Sequence, residues 1–209
     1  MRHPYWHYFA SLCDDVEKTT RFVEPTLDNF KTYSIEYARL YLAIGSEVDV
    51  VAKSLCEKIR PASKSENINT YRSVILSAFP GLPDLQVVVP RHEISFAPWL
   101  DWQNGKNPPW WRSHNAVKHT RHKSFKEANL ENTLHALGGL LIIVGYLYAE
   151  DLVSCLLSPC PSASFIQFDP KYYSGISMGN RGSAVGYCLP GIAKPKHVQE
   201  AARRLASRR

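Results

Sequence analysis

The sequence predicts a mainly α-helical domain, an antiparallel bundle, with a small irregular or β appendage at its C-terminal side. Three observations point there. Apolar residues recur at three- and four-residue steps through 33–59, the period of a helix face. A stretch from Trp110 to Ser158 contains no proline and carries two adjacent apolar stripes. From Pro159 the composition turns to glycine, serine and aromatics, which suits short strands or ordered loops. Residues 1–158 therefore read as the helical domain, 159–193 as an appendage packed on it, and 194–209 as a basic tail.

Taken in order, Tyr5 to Val23 reads as a first helix ending near Pro25. Its Tyr5, Trp6, Tyr8 and Phe9 suit a packing or dimer face ahead of a base-stacking platform. The second helix runs Tyr33 to Ile59, where Tyr37, Leu40, Tyr41, Ile44, Val48, Val51 and Leu55 share a face and Arg60-Pro61 ends it. A shorter third helix covers Asn69 to Phe79 before the P-G-L-P breaker. LQVVVPRHEISFAPWL is β-branched with Pro90 and Pro98 inside, so it reads as a connection or an edge hairpin. Trp99, Trp102, Trp110 and Trp111 read as braces for the loop leading to the next helix.

The long region from Trp110 divides near Ala128-Asn129, and Pro109 suits a first helical position because its missing N–H would be unsatisfied there anyway. Beyond the division, Leu130, Leu134, Leu137, Leu141, Val144 and Tyr148 make one stripe. Thr133, Ala136, Leu140, Ile143 and Leu147 make another, so this helix is central to its bundle, with His135 as a core histidine. Its most apolar run, Leu137 to Ala149, is thirteen residues long and meets Glu150 and Asp151. That falls short of the ~20 residues that span a bilayer, so a buried helix and no membrane partner are expected.

Composition narrows the class. Hydrophobic residues at 44% and charged residues at 21% suit one globular domain with an ordinary core. The net charge is +6, but the last sixteen residues hold six Lys and Arg against one Glu, leaving the body near neutral. Five cysteines without a C-x-x-C pair read as reduced thiols of a cytoplasmic protein, and no secretory leader opens the chain. Cys155 and Cys160 lack the companions that a zinc site needs, so no metal or other cofactor is expected. The glycines after 159 are not followed by G-K-[ST], which excludes that form of phosphate loop.

One segment resists a purely structural account. NPPWWRSHNAVKHTRHKSFKEAN, residues 107–129, gathers three histidines, three lysines and two arginines behind a pair of tryptophans. At ~100° per residue, Trp111, His114, Lys118, Arg121 and Phe125 fall on one stripe with core spacing. Arg112, Asn115, His119 and His122 fall on a neighbouring face. Buried cations need partners. A structural partner is available in the second helix, where Glu47 or Asp49 could pair with Lys118 or Arg121, and Asp49 with Lys53 one turn on. The other partner is phosphate, which Arg grips with a fork, Asn positions and His can serve with protons near neutral pH.

The segment resembles the signature of HEPN-type helical domains, in particular a bacterial branch of uncharacterised function reading W-W-x-x-[YH]-N-x-V-K-H-x-R. Trp110, Trp111, His114, Asn115, Val117, Lys118, His119 and Arg121 carry it. It continues through Phe125, Ala128, Asn129, Leu130, Asn132, Leu134, Ala136 and Leu137. FAPW at Phe96 to Trp99 fits upstream, as do Asp49 and Lys53, so the likeness spans about half the chain. It implies a bundle of HEPN type, a homodimer, and activity as a metal-independent endoribonuclease of toxin or defence type, with a neutralising partner protein in some systems. The hallmark, an Arg and a His with four to six residues between them, is matched by Arg112 and His119 with six between, and Ser113 stands directly after the Arg. The resemblance makes Arg112, Asn115 and His119 the expected catalytic group. His114, Lys118, Arg121, His122, Asp49 and Lys53 are expected to bind phosphate or nucleotide, or to form structural ion pairs. The alternative is a non-catalytic nucleotide-binding or interaction module using the same residues.

Overall fold

The computed structural model describes residues 2–62, 64–179 and 182–193. Its six α-helices are α1 (Pro4–Thr19), α2 (Ile35–Ile59), α3 (Ile68–Ala78), α4 (Pro109–Ser124), α5 (Leu130–Leu147) and α6 (Ala149–Val153). The chain is mainly α, as the periodicities indicate. The basic tail, 194–209, lies outside the described residues.

Three of the helix starts are fixed by capping. The Ser34 side chain accepts the Tyr37 N–H at the head of α2, and Asn67 forms a reciprocal capping box with Thr70 at the head of α3. Asn129 opens α5 by accepting the Asn132 N–H at 2.9 Å, which is why the long region divides where it does. It divides twice more than the sequence suggests: Thr120 leaves helical geometry within α4, and Tyr148 separates α5 from α6.

Sixteen of the eighteen residues of α5 are buried, and it packs against α2, α1 and α4. By length and composition α5 itself could cross a membrane, although the apolar run read from the sequence is shorter; 83% of it is covered by the rest of the fold. The structure gives it core work.

The segment after Phe79 is more regular than a connection. β1 (Val87–Val89) pairs antiparallel with β2 (Ile94–Phe96) in the register Val87↔Phe96. β3 (Gln167–Phe168) pairs on the other side of β1, giving the order β2-β1-β3. The hairpin therefore forms, but β1 is central rather than an edge, which its near-continuous valines fit. Beyond it, β4 (Tyr173–Gly179) and β5 (Gly182–Tyr187) form a second antiparallel pair. Of the N-terminal aromatics, Trp6 and Phe9 are fully buried, Tyr5 bonds the Ser54 hydroxyl, and Tyr8 is exposed.

His135 sits half-buried with its ring stacked on Phe96, centroids 4.3 Å apart. Burial holds its pKa down at about 4, aided by the Lys31 charge and opposed by Glu131. The unfolded chain takes up that proton near the ordinary 6.5, so acid favours unfolding. The contribution of His135 is intact above about pH 6.5 and is lost as pH falls toward about 4. We expect His135→Phe to flatten the fall in melting temperature across that window; an unchanged slope by differential scanning fluorimetry would show that this imidazole does not titrate with folding.

Candidate nucleic-acid interface

The site is built around α4, a helix with few means of holding itself to the body. Four of its sixteen residues are buried: Trp110, Trp111, His114 and Val117. Each has a specific seat. Trp110 donates its indole N–H to the Pro98 carbonyl at 2.7 Å, and its ring lies edge-on to Trp99 at 5.0 Å. Trp99 in turn stacks at 4.2 Å on Trp102 and donates to the Gly139 carbonyl of α5. Gly139 has no side chain because Trp110 occupies the space, with a ring carbon 2.9 Å from where a Cβ would lie. The four tryptophans do brace the entry to α4.

On the α2 side, the Tyr41 hydroxyl donates a short hydrogen bond to the Trp110 carbonyl. One turn along, His114 lies between Tyr41 and Trp111, with centroids 5.6 and 5.5 Å away, and only 2% exposed. Its ring presses onto the bare Cα of Gly45; a Cβ there would stand 2.2 Å from the His114 Cδ2. Neither ring nitrogen has a hydrogen-bond partner. Burial, with the Lys118 charge, holds the His114 pKa below the ordinary imidazole value, so the ring is a neutral spacer between helices. The Leu42 carbonyl, Asn115 and Asp49 pull the other way, though neither Leu42 nor Asn115 reaches hydrogen-bond geometry. His114 is thus a packing residue, not a surface ligand for phosphate.

The rest of the stripe departs from the expected core. Lys118 and Arg121 are exposed, and neither forms an ion pair with Glu47 or Asp49 among the described residues. The break at Thr120 (φ −136°, ψ 42°) lies between Lys118 and Arg121, so Arg121 does not continue the line of the first three turns, while Lys118 stands at the exposed margin of the buried face. The Thr120 hydroxyl donates to the Ala116 carbonyl at 2.9 Å and meets the Ser124 hydroxyl, local bonds that compete with the helix ladder. Nor do Asp49 and Lys53 form an ion pair among the described residues: both are exposed on α2. Glu47 is half-buried and its carboxyl is pushed up by burial alone.

Arg112, Asn115 and His119 do share one helix face, since they precede the break at spacings of three and four residues. No hydrogen bond joins any two of them; Arg112 and His119 are exposed and Asn115 half-buried. Ser113, next to Arg112, is occupied structurally: it donates to the Glu127 carboxylate at 2.8 Å, which Asn132 also supports.

Around the break an open groove of about 730 Å³ forms between α2 and α4. Its floor is Leu42, Val117 and Phe125, and its rim is Lys118, His119, Arg121 and His122. No carboxylate lines it, and none of the four rim residues has an ion pair or hydrogen bond among the described residues. Phe125 continues edge-on to Tyr33 at 5.6 Å, half-exposed beside the groove. The neighbouring acids lie elsewhere: Asp101, Glu127 and Glu131 line a separate cleft of about 330 Å³ with Ser113, where Lys31 bonds Glu131. Such a groove can hold an anion with an apolar or aromatic portion, and imidazole is the side chain best suited to proton transfer to and from it. Among the described residues no group of three His, Cys, Asp or Glu side chains is arranged to hold a metal ion.

Compared with family models, curated proteins and solved structures, the chain matches none. Sequence reasoning missed Gly45, Tyr41 and Leu42 as partners of α4. A glycine inside an otherwise unbroken helical pattern was the available signal for Gly45.

We expect Gly45→Ala to destabilise the fold by about 1–3 kcal/mol, the range for overpacking a close contact. Adding His114→Ala should recover much of that loss, since it empties the space the new methyl needs. Strictly additive losses in urea titrations of the double variant would mean that the two residues do not share a contact.

Proposed function

We propose that the chain is a HEPN-like protein that acts on RNA as a metal-independent endoribonuclease, with the groove at the Thr120 break as its phosphodiester site. The observation that carries this reading is the rim of Lys118, His119, Arg121 and His122 around an apolar floor, with no carboxylate lining it. Unpaired cations at one place cost repulsion in the free protein, and a polyanion relieves it. The donor set is also poor for a hard divalent cation, which wants carboxylate oxygens.

In this reading a 2′-OH attacks the adjacent phosphorus and the 5′-oxygen leaves, giving a 2′,3′-cyclic phosphate and a 5′-OH. His119 moves a proton in that step, and the groove cations stabilise charge on the phosphoryl oxygens. Arg112 and Asn115, two turns and one turn before His119 on the same face, extend the contact along the strand. The HEPN resemblance adds a bundle of that type, a second copy of the chain, and a toxin or defence role with a neutralising partner protein.

A second reading has an observation of its own. Arg112 and Asn115 do not line the groove and make no hydrogen bond with His119. A site that holds a nucleotide or phosphate without cutting it needs only the rim.

The two readings separate in a cleavage assay on total RNA with EDTA present. We expect folded wild type to yield cyclic-phosphate ends, His119→Ala to cut about 10²–10⁴-fold more slowly, and DNA to survive for want of a 2′-OH. Retained RNA binding without cleavage by wild type would favour the non-catalytic module.

A further inference from the structure

The groove contains one imidazole more than the expected catalytic group of Arg112, Asn115 and His119 provides for. Cleavage by 2′-OH attack needs two proton transfers, one from the nucleophile and one to the departing 5′-oxygen. An ammonium or a guanidinium is a poor proton-transfer group compared with an imidazole. Asn115 carries no transferable proton and Arg112 lies outside the lining. The imidazoles that line the groove are His119 and His122. They stand on either side of the Thr120 break, the first on the last regular turn and the second on the turned segment, and both border the same space.

We infer that His122 is the second proton-transfer residue of this site, partner to His119 within one chain. This rests on the ribonuclease reading above. One imidazole, neutral, takes the 2′-OH proton as O2′ bonds to phosphorus. The other, as imidazolium, gives its proton to O5′ as the P–O5′ bond breaks. The two rings finish with exchanged protonation and are reset by solvent, so no oxidant or further reactant is involved. Lys118 and Arg121 flank the transferred phosphate, and no carboxylate lines the groove to hold either imidazole permanently protonated.

The test uses the full chain and short RNAs with a single cleavable linkage, made either with oxygen or with sulfur at the bridging 5′ position. A thiolate leaves without a proton, so the sulfur linkage removes the need for the acid alone. Wild type, His119→Ala and His122→Ala are compared, each checked for folding by circular dichroism; both histidines are exposed, so neither change empties the core. Both variants should lose about 10²–10⁴-fold on the oxygen linkage. One of the two, the variant lacking the acid, should return to within a few-fold of wild type on sulfur, while the other stays slow. His122→Ala cutting the oxygen linkage at the wild-type rate would overturn the inference and leave the ribonuclease reading standing. Equal losses on both linkages for both variants would also overturn it, reducing His122 to positioning. Silence of wild type on both linkages would sink the ribonuclease reading itself, and this inference with it.

Discussion

The contact on which the site depends is the seating of His114 against Gly45. Helix α4 is too polar to pack by its own apolar area, and its buried residues all lie in its first nine positions. Tyr41 and Gly45 of α2 and the tryptophan cluster above α5 hold that half. With Trp110, Trp111, His114 and Val117 turned inward, helix geometry leaves Arg112 and His119 outward and Lys118 at the edge of the buried face. The exposed charge is thus a consequence of what the other face buries. A neutral imidazole between two aromatic rings fills a space that a cation could not occupy without a partner.

Segregation of charge around α4 follows from the same geometry. The acids nearest the helix are engaged on its far side, where Glu127 accepts from Ser113 and Asn132 and where Glu131 meets Lys31. They fix the turn between α4 and α5. They are therefore unavailable to the groove cations, and a body that is near neutral on balance still carries a concentrated positive rim.

How much of this was legible in the sequence varies with the kind of signal. Periodicity located α2 and α5, because one stripe per turn is what a buried helix face requires, and the division near Ala128-Asn129 falls where the structure shows Asn129 capping α5. The same periodicity misled at Lys118 and Arg121. A stripe drawn on to Arg121 assumes an unbroken helix, and a threonine that back-bonds to the preceding turn gives no apolar signal of the break it permits; Lys118, before the break, lies at the margin of the buried face. Glu47 and Asp49 looked like staples because they sit among apolar residues, but a helix that buries one face presents such residues at its margin. Strand β1 was hidden for another reason: its partner β3 lies some eighty residues away, and pairing at that distance leaves no local mark.

The break at Thr120 also divides the groove mechanically. One wall, made by α2 and the first three turns of α4, is continuous with the core through Val117, Trp110 and Gly45. The other, Arg121 to Ser124, has no buried side chain of its own and is fastened by its chain ends and the Thr120–Ser124 contact. Segments with so few buried contacts open locally at low free energy. The groove is thus a stiff half facing a compliant half: its width can adapt to an occupant without disturbing the bundle. Tight binding carries the conformational entropy lost when the compliant half is brought to order.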